Sequence, residues 1–243
     1  MQETSNIFGT RAIIEAIKAG QTLQKVYLLK GINNALIGEL NTLIKKNAIS
    51  SSYVPVEKLD RLSKFQNHQG AVAKISSIEF HDLEDLVLRT KAKAPLYILL
   101  DQITDVRNFG AILRTAECAG VHGVIIPQQG SASLNADAIK TSAGAAFTIP
   151  ICKVNHLLDA IYLLQAEGIK IVAITEKTDQ SIYDMDLTQP TALVMGSEHK
   201  GITNSILKLA DGKGKLPLLG DIASLNVSVA CGVALYEAVR QRL

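Results

Sequence analysis

Apolar segments of strand length alternate with helical segments through residues 96–243, and this alternation constrains the fold more than any other feature of the chain. Tyr97-Ile98-Leu99-Leu100 is apolar at every position, as expected of a strand buried on both faces of a sheet. The pattern predicts further strands at 123–126, 169–174, 192–195 and 216–218, and helices at 109–119, 157–166 and 225–240. Strands that alternate with helices predict a parallel sheet that binds ligands at the carboxyl ends of its strands.

Residues 1–76 predict a second, smaller α/β unit, and a unit of about 75 residues can bury a core of its own. Its expected helices are 10–19, 36–44 and 57–62, and its expected strands are 25–29, 52–55 and 71–75. Residues 77–95 mix acidic and basic side chains and end in proline, so we expect a partly helical linker there. The predicted domains are therefore 1–76 and 96–243.

Charge is distributed unevenly between these parts of the chain. Residues 1–76 hold ten Lys and Arg against five Asp and Glu, a balance of +5, while residues 77–243 hold fifteen against eighteen, a balance of −3. A basic first domain is compatible with binding the phosphates of a nucleic acid. Many solvated surfaces carry a similar excess, so charge alone does not establish such a partner.

Composition limits the class of protein further. Apolar residues make up 47% of the chain and charged residues 20%, which indicates a globular protein. The first residues lack the basic start and apolar run of a signal peptide, and no apolar stretch approaches the length of a membrane span. The cysteines at 118, 152 and 231 show no metal-ligand spacing and are expected to be reduced core thiols. We therefore expect a cytoplasmic protein with neither a metal nor a membrane partner.

Three polar segments that contain glycine follow predicted strands of the second domain, at the sheet edge where a ligand is expected. The first spans residues 105–114. Its Gly110 permits close approach of the backbone at a helix start, and Arg114, four residues later, shares a helix face with Gly110. An ordinary surface arginine on an amphipathic helix would show the same spacing.

The second and third segments add a carboxylate and two small polar side chains. Residues 194–201 place Glu198 between two glycines after a buried strand; Glu198 could orient a ligand or accept a proton, although a solvated turn has the same composition. Residues 216–230 place Ser224 and Asn226 at the start of the last helix. Either side chain could cap that helix, and either could contact a ribose or another ligand.

Several common sites are absent from the sequence. It contains no GxGxxG or GxxxxGK[ST] phosphate loop, no cluster with metal-ligand spacing and no GxSxG elbow. These absences disfavour an enzyme that uses a nicotinamide or ATP.

Taken together and in this order, the three segments closely resemble the three motifs of the SpoU (TrmH-type) RNA 2′-O-ribose methyltransferases of the SPOUT superfamily. The motifs correspond to residues 108–116, 195–201 and 216–230. Residues 7–9 and 67–73 resemble the start and end of the family's substrate-binding domain, so the likeness spans nearly the whole chain. The subgroup that the chain resembles most closely methylates a guanosine ribose in large-subunit ribosomal RNA.

The resemblance implies a parallel-sheet methyltransferase domain with a deep trefoil knot at about 190–243, preceded by a small α/β ribosomal-protein-like (L30e-like) RNA-binding domain. It implies S-adenosyl-L-methionine as the cofactor, structured RNA as the partner and a homodimer in which the apolar last helix helps to cover the second copy. The residues implied to bind the cofactor are Met195, Gly196, Gly201, Leu216, Leu218, Leu225 and Asn226. One departure from the family pattern is Val106, which follows Asp105 where proline is common; it removes no functional group.

The resemblance also implies which residues act on the RNA. The catalytic candidates are Arg114, Asn108, Glu198, Ser224 and Asn226, and the RNA-binding candidates are Arg11, His68, Arg107 and Arg114. The family proposal makes the arginine the base that takes the 2′-hydroxyl proton. Anchoring a phosphate and stabilising a developing alkoxide is the alternative, because a guanidinium holds its proton strongly. Glu198 is expected to fix its own loop or Asn108, and His68 has a turn role as its alternative.

Two other functions remain open at this point. A transfer RNA ribose methyltransferase of the same family would use the same chemistry on another substrate, and only the basic first domain argues for ribosomal RNA. An RNA-binding or ribosome assembly factor without activity would not need the intact set of motif residues. Donor binding and methyl transfer distinguish these possibilities.

Overall fold

The structure, a computed structural model, describes residues 4–76, 78–198 and 200–243. In chain order its strands are β1 (Thr4–Phe8), β2 (Leu23–Leu29), β3 (Ser51–Val54), β4 (Ala71–Ser76), β5 (Leu96–Asp101), β6 (Gly123–Pro127), β7 (Ile151–Val154), β8 (Lys170–Ile174), β9 (Thr191–Gly196) and β10 (Gly212–Gly214). Its helices are α1 (Thr10–Lys18), α2 (Ala35–Lys46), α3 (Val56–Leu62), α4 (Leu83–Thr90), α5 (Val106–Cys118), α6 (Ala136–Thr141), α7 (Leu157–Ala166), α8 (Asn204–Leu209) and α9 (Val227–Arg242).

The chain divides into two compact units whose bounds differ from the predicted domains. The first unit is Met1–Glu79 with Leu134–Thr148, and the second is Phe80–Ser133 with Ile149–Leu243. The short helix α6 therefore belongs to the first unit, where it packs against β1 and α1. The sequence could not predict that α6 belongs to the first unit, because the helix is short, rich in small residues and distant in sequence from the rest of that unit.

The first unit is built on a four-stranded mixed sheet with the order β1-β4-β2-β3. Strand β4 is antiparallel to both of its neighbours, and β2 is parallel to β3. Helix α1 buries its isoleucines at spacings of one, three and four residues, as an amphipathic helix does, and Asn34 caps α2 by accepting a hydrogen bond from the amide of Ile37 at 2.9 Å. Strand β1 was not predicted.

The second unit is built on a six-stranded sheet with the order β10-β8-β9-β5-β6-β7. All five of its pairings are parallel, which confirms the predicted sheet type. Every residue of β5 is buried, so its uninterrupted apolar sequence reflects cover on both faces. Strand β7, strand β10 and helix α8 were not predicted.

Helix α4 occupies eight of the 19 residues that were predicted as a partly helical linker. Leu83, Leu86 and Val87 are buried in the main apolar core of the second unit. These positions follow the helical spacing of three and four residues, while the charged residues that suggested a linker lie on the remaining face. The mixture of acidic and basic residues in this segment therefore comes from the solvent-exposed face of α4.

The extended segment predicted at 216–218 has no regular structure, and the strand lies earlier, at β10. Gly212 and Gly214 pair with β8 through their backbones. A Cβ on either glycine would meet the end of the Met185 side chain, so an added side chain would displace that methionine. Because this edge strand carries no apolar alternation, hydrophobic periodicity could not find it.

The three cysteines are free, and two of them match the prediction. Cys152 and Cys231 are buried, and burial raises the pKa of each thiol to about 12. Cys118, the last residue of α5, is exposed, so the prediction of a core thiol was wrong for this residue.

Among the helices of the described residues, none combines the length and the apolar character that crossing a bilayer requires.

Candidate functional site

A cavity of about 460 Å³ lies at the carboxyl ends of β8 and β9, within the second unit. This is the sheet edge where a parallel α/β fold binds its ligands, and the volume suits a small organic molecule. The cavity wall includes six residues that were predicted to bind the cofactor, which are Met195, Gly196, Gly201, Leu216, Leu218 and Leu225. Glu198 and Ser224 also line it.

Gly196 shows why the end of β9 requires glycine. The chain folds back after β9, and Ser197 forms an isolated antiparallel bridge with Gly201. A Cβ on Gly196 would collide with the backbone of Gly201 and Ile202. The absence of a side chain therefore lets two backbone segments of the cavity wall lie against each other.

The start of α9 is fixed by Asn226, the seventh residue predicted to bind the cofactor. Its Oδ1 accepts hydrogen bonds from the amide of Ser228 at 2.9 Å and from the Ser228 hydroxyl at 2.6 Å. Asn226 is therefore the N-cap of α9. Ser224 is exposed in the preceding loop and does not cap the helix.

A hydrogen-bond network joins one residue from each of the three motifs. Asn108 donates through Nδ2 to Glu198 Oε1 at 2.5 Å. Asn226 donates through Nδ2 to the same oxygen at 3.0 Å and to Asn108 Oδ1 at 3.1 Å. One carboxylate and two amides thus connect segments that are 28 to 118 residues apart in sequence. The expected contact between Glu198 and Asn108 is present in this geometry.

The first motif lies on the predicted helix, which begins earlier than expected and includes residues 106–108. Asp105 caps α5 by accepting a hydrogen bond from the amide of Asn108 at 2.7 Å. This cap places Asn108 in the first turn, where its side chain reaches the other motifs, and it starts the helix three residues before the predicted position. Gly110 is buried in α5.

Arg107 and Arg114 lie seven residues apart on α5 and are both exposed, so they share one helix face. Within the described residues, the Arg114 side chain forms no hydrogen bond or ion pair, and neither arginine lines the cavity. The structure therefore places six of the seven cofactor candidates in the wall of one cavity. The guanidinium of Arg114 lies outside that wall and is exposed, so it can contact another molecule.

Arg11 and His68 belong to the first unit. Arg11 is exposed on α1. His68 Nδ1 accepts a hydrogen bond from the amide of Gly70 at 3.0 Å, which leaves Nε2 protonated to donate to Asp60 Oδ1 at 3.2 Å. Because both ring nitrogens are engaged and the side chain is only 11% exposed, these contacts favour the turn role of His68 over contact with RNA.

Sequence reasoning missed part of the cavity wall. Ile174 at the end of β8 and the next three residues, 175–177, line the cavity together with Lys200 and Lys215. The sequence could have predicted these residues, because a polar stretch follows the strand predicted at 169–174 and ligands bind after the strands of a parallel sheet. Glu176 and Glu198 bring negative charge to the cavity, and the lysines at 177, 200 and 215 bring positive charge. The Nζ of Lys215 lies 3.3 Å from Oδ1 of Asp179.

The donor set suits an organic, partly charged ligand and not a metal ion. The leucines and Met195 supply apolar surface, the loops supply backbone groups, and the cavity holds charges of both signs. Among the residues that the structure describes, no three His, Cys, Asp or Glu side chains are placed to share a metal ion.

Two family models together cover most of the chain. The SpoU rRNA Methylase family matches residues 95–236, and the family described as RNA 2′-O ribose methyltransferase substrate binding matches residues 6–81.

Similar proteins point to the same family. The chain is 36% identical over 239 residues to the 23S rRNA (guanosine-2′-O-)-methyltransferase RlmB of Escherichia coli, covering 97% of each chain. It is similar in structure to the SpoU methyltransferase AviRb of Streptomyces viridochromogenes in complex with the cofactor AdoMet, with a TM-score of 0.82, 26% identity and coverage of 98% and 90%. It is also similar to the TrmH/SpoU tRNA modifying enzyme of A. aeolicus, with a TM-score of 0.56, 31% identity and coverage of 66% and 84%. The matched motifs, the cavity at their meeting point and these relatives establish that the chain belongs to the SpoU rRNA methylase family.

Proposed function

We propose that this protein is an RNA 2′-O-ribose methyltransferase that transfers a methyl group from S-adenosyl-L-methionine to the ribose of a guanosine in large-subunit ribosomal RNA. The observation that carries the proposal is one cavity at the carboxyl ends of β8 and β9 that the second and third motifs line, and to which Asn108 of the first motif is joined through its hydrogen bond to Glu198. A protein that only binds RNA has no need of a cavity for a small molecule joined to a polar network.

The cavity fits the methyl donor. Leu216, Leu218 and Leu225 form an apolar wall suited to adenine, and the loops around Gly196 offer backbone groups to the ring edge. Glu176 and Glu198 place negative charge where a sulfonium cation would be bound. When bound, the donor supplies an electrophilic methyl group, so no metal is needed to activate it.

The protein's part in the reaction is to align the ribose and to stabilise charge. A ribose 2′-hydroxyl is a weak nucleophile at neutral pH, so positioning and electrostatic stabilisation are the main contributions available. The exposed Arg114 and Arg107 offer two cations on one face of α5 for the phosphates beside the target. We assign Arg114 to anchoring the phosphate and stabilising the alkoxide, because a guanidinium retains its proton.

The network of Asn108, Glu198 and Asn226 acts on the donor and the ribose indirectly. Glu198 lines the cavity while accepting hydrogen bonds from both amides. These contacts hold the start of α5, the loop after β9 and the start of α9 in one arrangement. We assign Ser224, which lines the cavity in an exposed loop, to orienting the ribose.

Ribosomal RNA is favoured over transfer RNA by the extent of the similarity. The E. coli relative, named for 23S rRNA, matches 97% of this chain, whereas the A. aeolicus tRNA modifying enzyme matches 66%. The basic first unit, which matches the substrate-binding family, supports recognition of a larger structured RNA. A ribosomal substrate would place the protein in the cytoplasm.

Three further features are part of the proposal. Residues from about 190 to 243 form a deep trefoil knot around the cavity, and the first unit is an L30e-like RNA-binding domain. Two copies form a homodimer through α9 and the loop before it. The support for the dimer is a set of exposed apolar side chains, which are Leu219, Ile222, Val229 and Tyr236.

The test is methyl transfer from labelled donor to purified large-subunit ribosomal RNA and to bulk transfer RNA, followed by nuclease mapping. Label at one ribose of the ribosomal RNA supports the proposal and identifies the target. Label in transfer RNA alone would keep the chemistry and overturn the substrate. No label in either RNA, together with no donor binding, would favour a silent RNA-binding protein.

Arg114 provides the first specific prediction. Arg114→Ala should lower methyl transfer by at least about a hundredfold and leave donor affinity nearly unchanged, because Arg114 does not line the cavity. Arg114→Lys, which retains a cation without the planar fork, should retain measurable activity. Turnover assays and calorimetry of donor binding measure the two effects. An alanine variant with most of its rate would remove Arg114 from the mechanism.

A further inference from the structure

Phe65, in the loop between α3 and β4 of the first unit, is exposed to an unusual degree for a phenylalanine. Its side chain is 82% exposed, and both Lys64 and Phe65 have left-handed backbone conformations, with φ of 54° and 60°. L residues rarely adopt this conformation, and it costs free energy at each position. A strained backbone that presents an aromatic ring to solvent calls for an explanation.

The end of helix α3 explains the backbone conformation of Lys64 but neither that of Phe65 nor the exposure of its ring. Lys64 donates its amide hydrogen to the carbonyl of Arg61 at 3.3 Å, and Phe65 donates to the carbonyl of Asp60 at 2.7 Å. This is the hydrogen-bond pattern of a Schellman cap, in which glycine is usual at the position of Lys64, and the position of Phe65 usually packs back on the helix. Here Phe65 faces solvent, and the residue it would pack on is Asp60.

The loop that carries Phe65 is held firmly from inside. The Ser63 side chain is buried, and its hydroxyl lies 3.2 Å from the carbonyl oxygen of Asp60 and 3.0 Å from that of Gln66. On the other side of Phe65, the carbonyl oxygen of Asn67 accepts a hydrogen bond from Lys140 Nζ at 3.0 Å. Because the backbone is fixed on both sides of Phe65, a partner that binds the ring pays little to order it.

The neighbours of Phe65 are polar, and they include the Lys64 cation beside the ring and charges of both signs on α3. Lys64, Gln66 and Asn67 are all exposed, and α3 carries Lys58 and Arg61 alongside Glu57 and Asp60. Residues 1–76 as a whole have a balance of +5. A protein interface would need a contiguous apolar core around the ring. One aromatic ring among cations and amides instead suits a nucleotide, which offers a flat base to stack on and a phosphate to neutralise.

We infer that Phe65 is a stacking platform for an unpaired base of the RNA, with Lys64 contacting the adjacent phosphate. The first unit therefore recognises a loop, bulge or single strand and not a continuous duplex, whose bases are stacked inside. This inference rests on the proposed function in one respect, namely that the bound RNA is the one to be methylated.

The chain contains no tryptophan, so Phe65→Trp introduces a single fluorescent probe at the platform. The ligand is a 12-nucleotide single-stranded RNA of mixed sequence, compared with the same strand annealed to its complement. Stacking of a base should quench the indole with the single strand but not with the duplex. Tyr162→Trp, at an exposed position on α7 of the second unit, is the matched control and should not be quenched.

Phe65→Leu supplies the affinity measurement, since it keeps an apolar side chain without a flat ring. It should weaken binding of the single strand by about five- to a hundredfold and leave duplex binding and thermal unfolding unchanged. An unquenched indole on a bound single strand, an unchanged affinity of the leucine variant, or an equal loss for the duplex would each overturn the platform.

The methyl-transfer assay separates this result from that of the proposed function. If the chain methylates RNA but Phe65→Leu binds unpaired RNA normally, only the platform fails. If unpaired RNA binds through Phe65 but no methyl group is transferred, the proposed function fails and the platform stands.

Discussion

Asn226 performs two tasks with different atoms of one side chain. Its oxygen caps α9 through Ser228, and its nitrogen donates to Asn108 and Glu198. An aspartate at this position would keep the capping oxygen, lose the amide donor and place a second carboxylate beside Glu198. The two tasks can therefore be separated by one substitution.

We expect Asn226→Asp to lower methyl transfer by more than about tenfold, because a hydrogen bond to a charged group is lost and like charges are brought together. Helix α9 should keep its cap, so the melting temperature should fall less than for Asn226→Ala, which removes the cap at a cost of about 1 kcal/mol. Turnover and thermal unfolding of both variants test this. An aspartate variant with the wild-type rate would show that the network has no part in catalysis.

At the scale of single residues, sequence could identify the motif members but only one of the contacts between them, that of Glu198 with Asn108. The capping of α9 was one of two alternatives that the sequence left open, and Asn226 rather than Ser224 fulfils it. The contact of Asn226 with Asn108 spans 118 residues and depends on the pairing of helix α9 with helix α5. No local pattern encodes that pairing.

The loop after β9 is an element whose geometry depends on one glycine. Gly196 pairs with Asp101 at the end of β5, and Asp101 in turn accepts a hydrogen bond from the amide of Thr203 at 2.7 Å. The loop between Gly196 and Thr203 is thus fixed at both ends and forms one wall of the cavity. Any added volume at Gly196 must displace the returning backbone.

Gly196→Ala should weaken donor binding strongly and destabilise the fold by about 1–3 kcal/mol, as expected of overpacking against rigid backbone. Calorimetry with the donor and denaturant unfolding measure these effects. The matched control is Gly38→Ala in α2, where an added Cβ meets no atom within 4 Å; it should raise stability by about 0.5–1 kcal/mol and leave donor affinity unchanged. Normal donor binding by Gly196→Ala would contradict the assigned wall.

At the scale of elements, sequence predicted those that bury a periodic apolar face. Helices α1, α2, α7 and α9 and the central strands β5, β8 and β9 were predicted within a few residues of their bounds. Strand β10, which pairs through glycines, and α6, a six-residue helix, carry too little apolar pattern to be found. Helix α4 was expected only as part of a linker, and its burial in the core of the second unit was not predicted, because charged residues are mixed with the apolar ones around it.

At the scale of the whole molecule, sequence and composition predicted two units but not which segments belong to each. Helix α6 joins the first unit from within the second half of the chain. Such an exchange depends on long-range packing. The homodimer proposed through α9 likewise concerns an assembly and not one chain. Val229 and Tyr236 are seven residues apart on α9 and are 51% and 52% exposed, so they form one apolar face.

We expect Tyr236→Lys and Val229→Lys to shift the protein from dimer to monomer, because a lysine ammonium buried at an apolar interface loses its hydration without gaining a partner. Both side chains are half-exposed within one chain, so the monomer should remain folded. Sedimentation equilibrium across a range of concentrations measures the mass, and circular dichroism checks the fold. Tyr162→Lys, an equally exposed tyrosine on α7, should leave the mass unchanged. A wild-type chain that sediments as a monomer, or lysine variants that keep the mass of two chains, would refute the interface on α9.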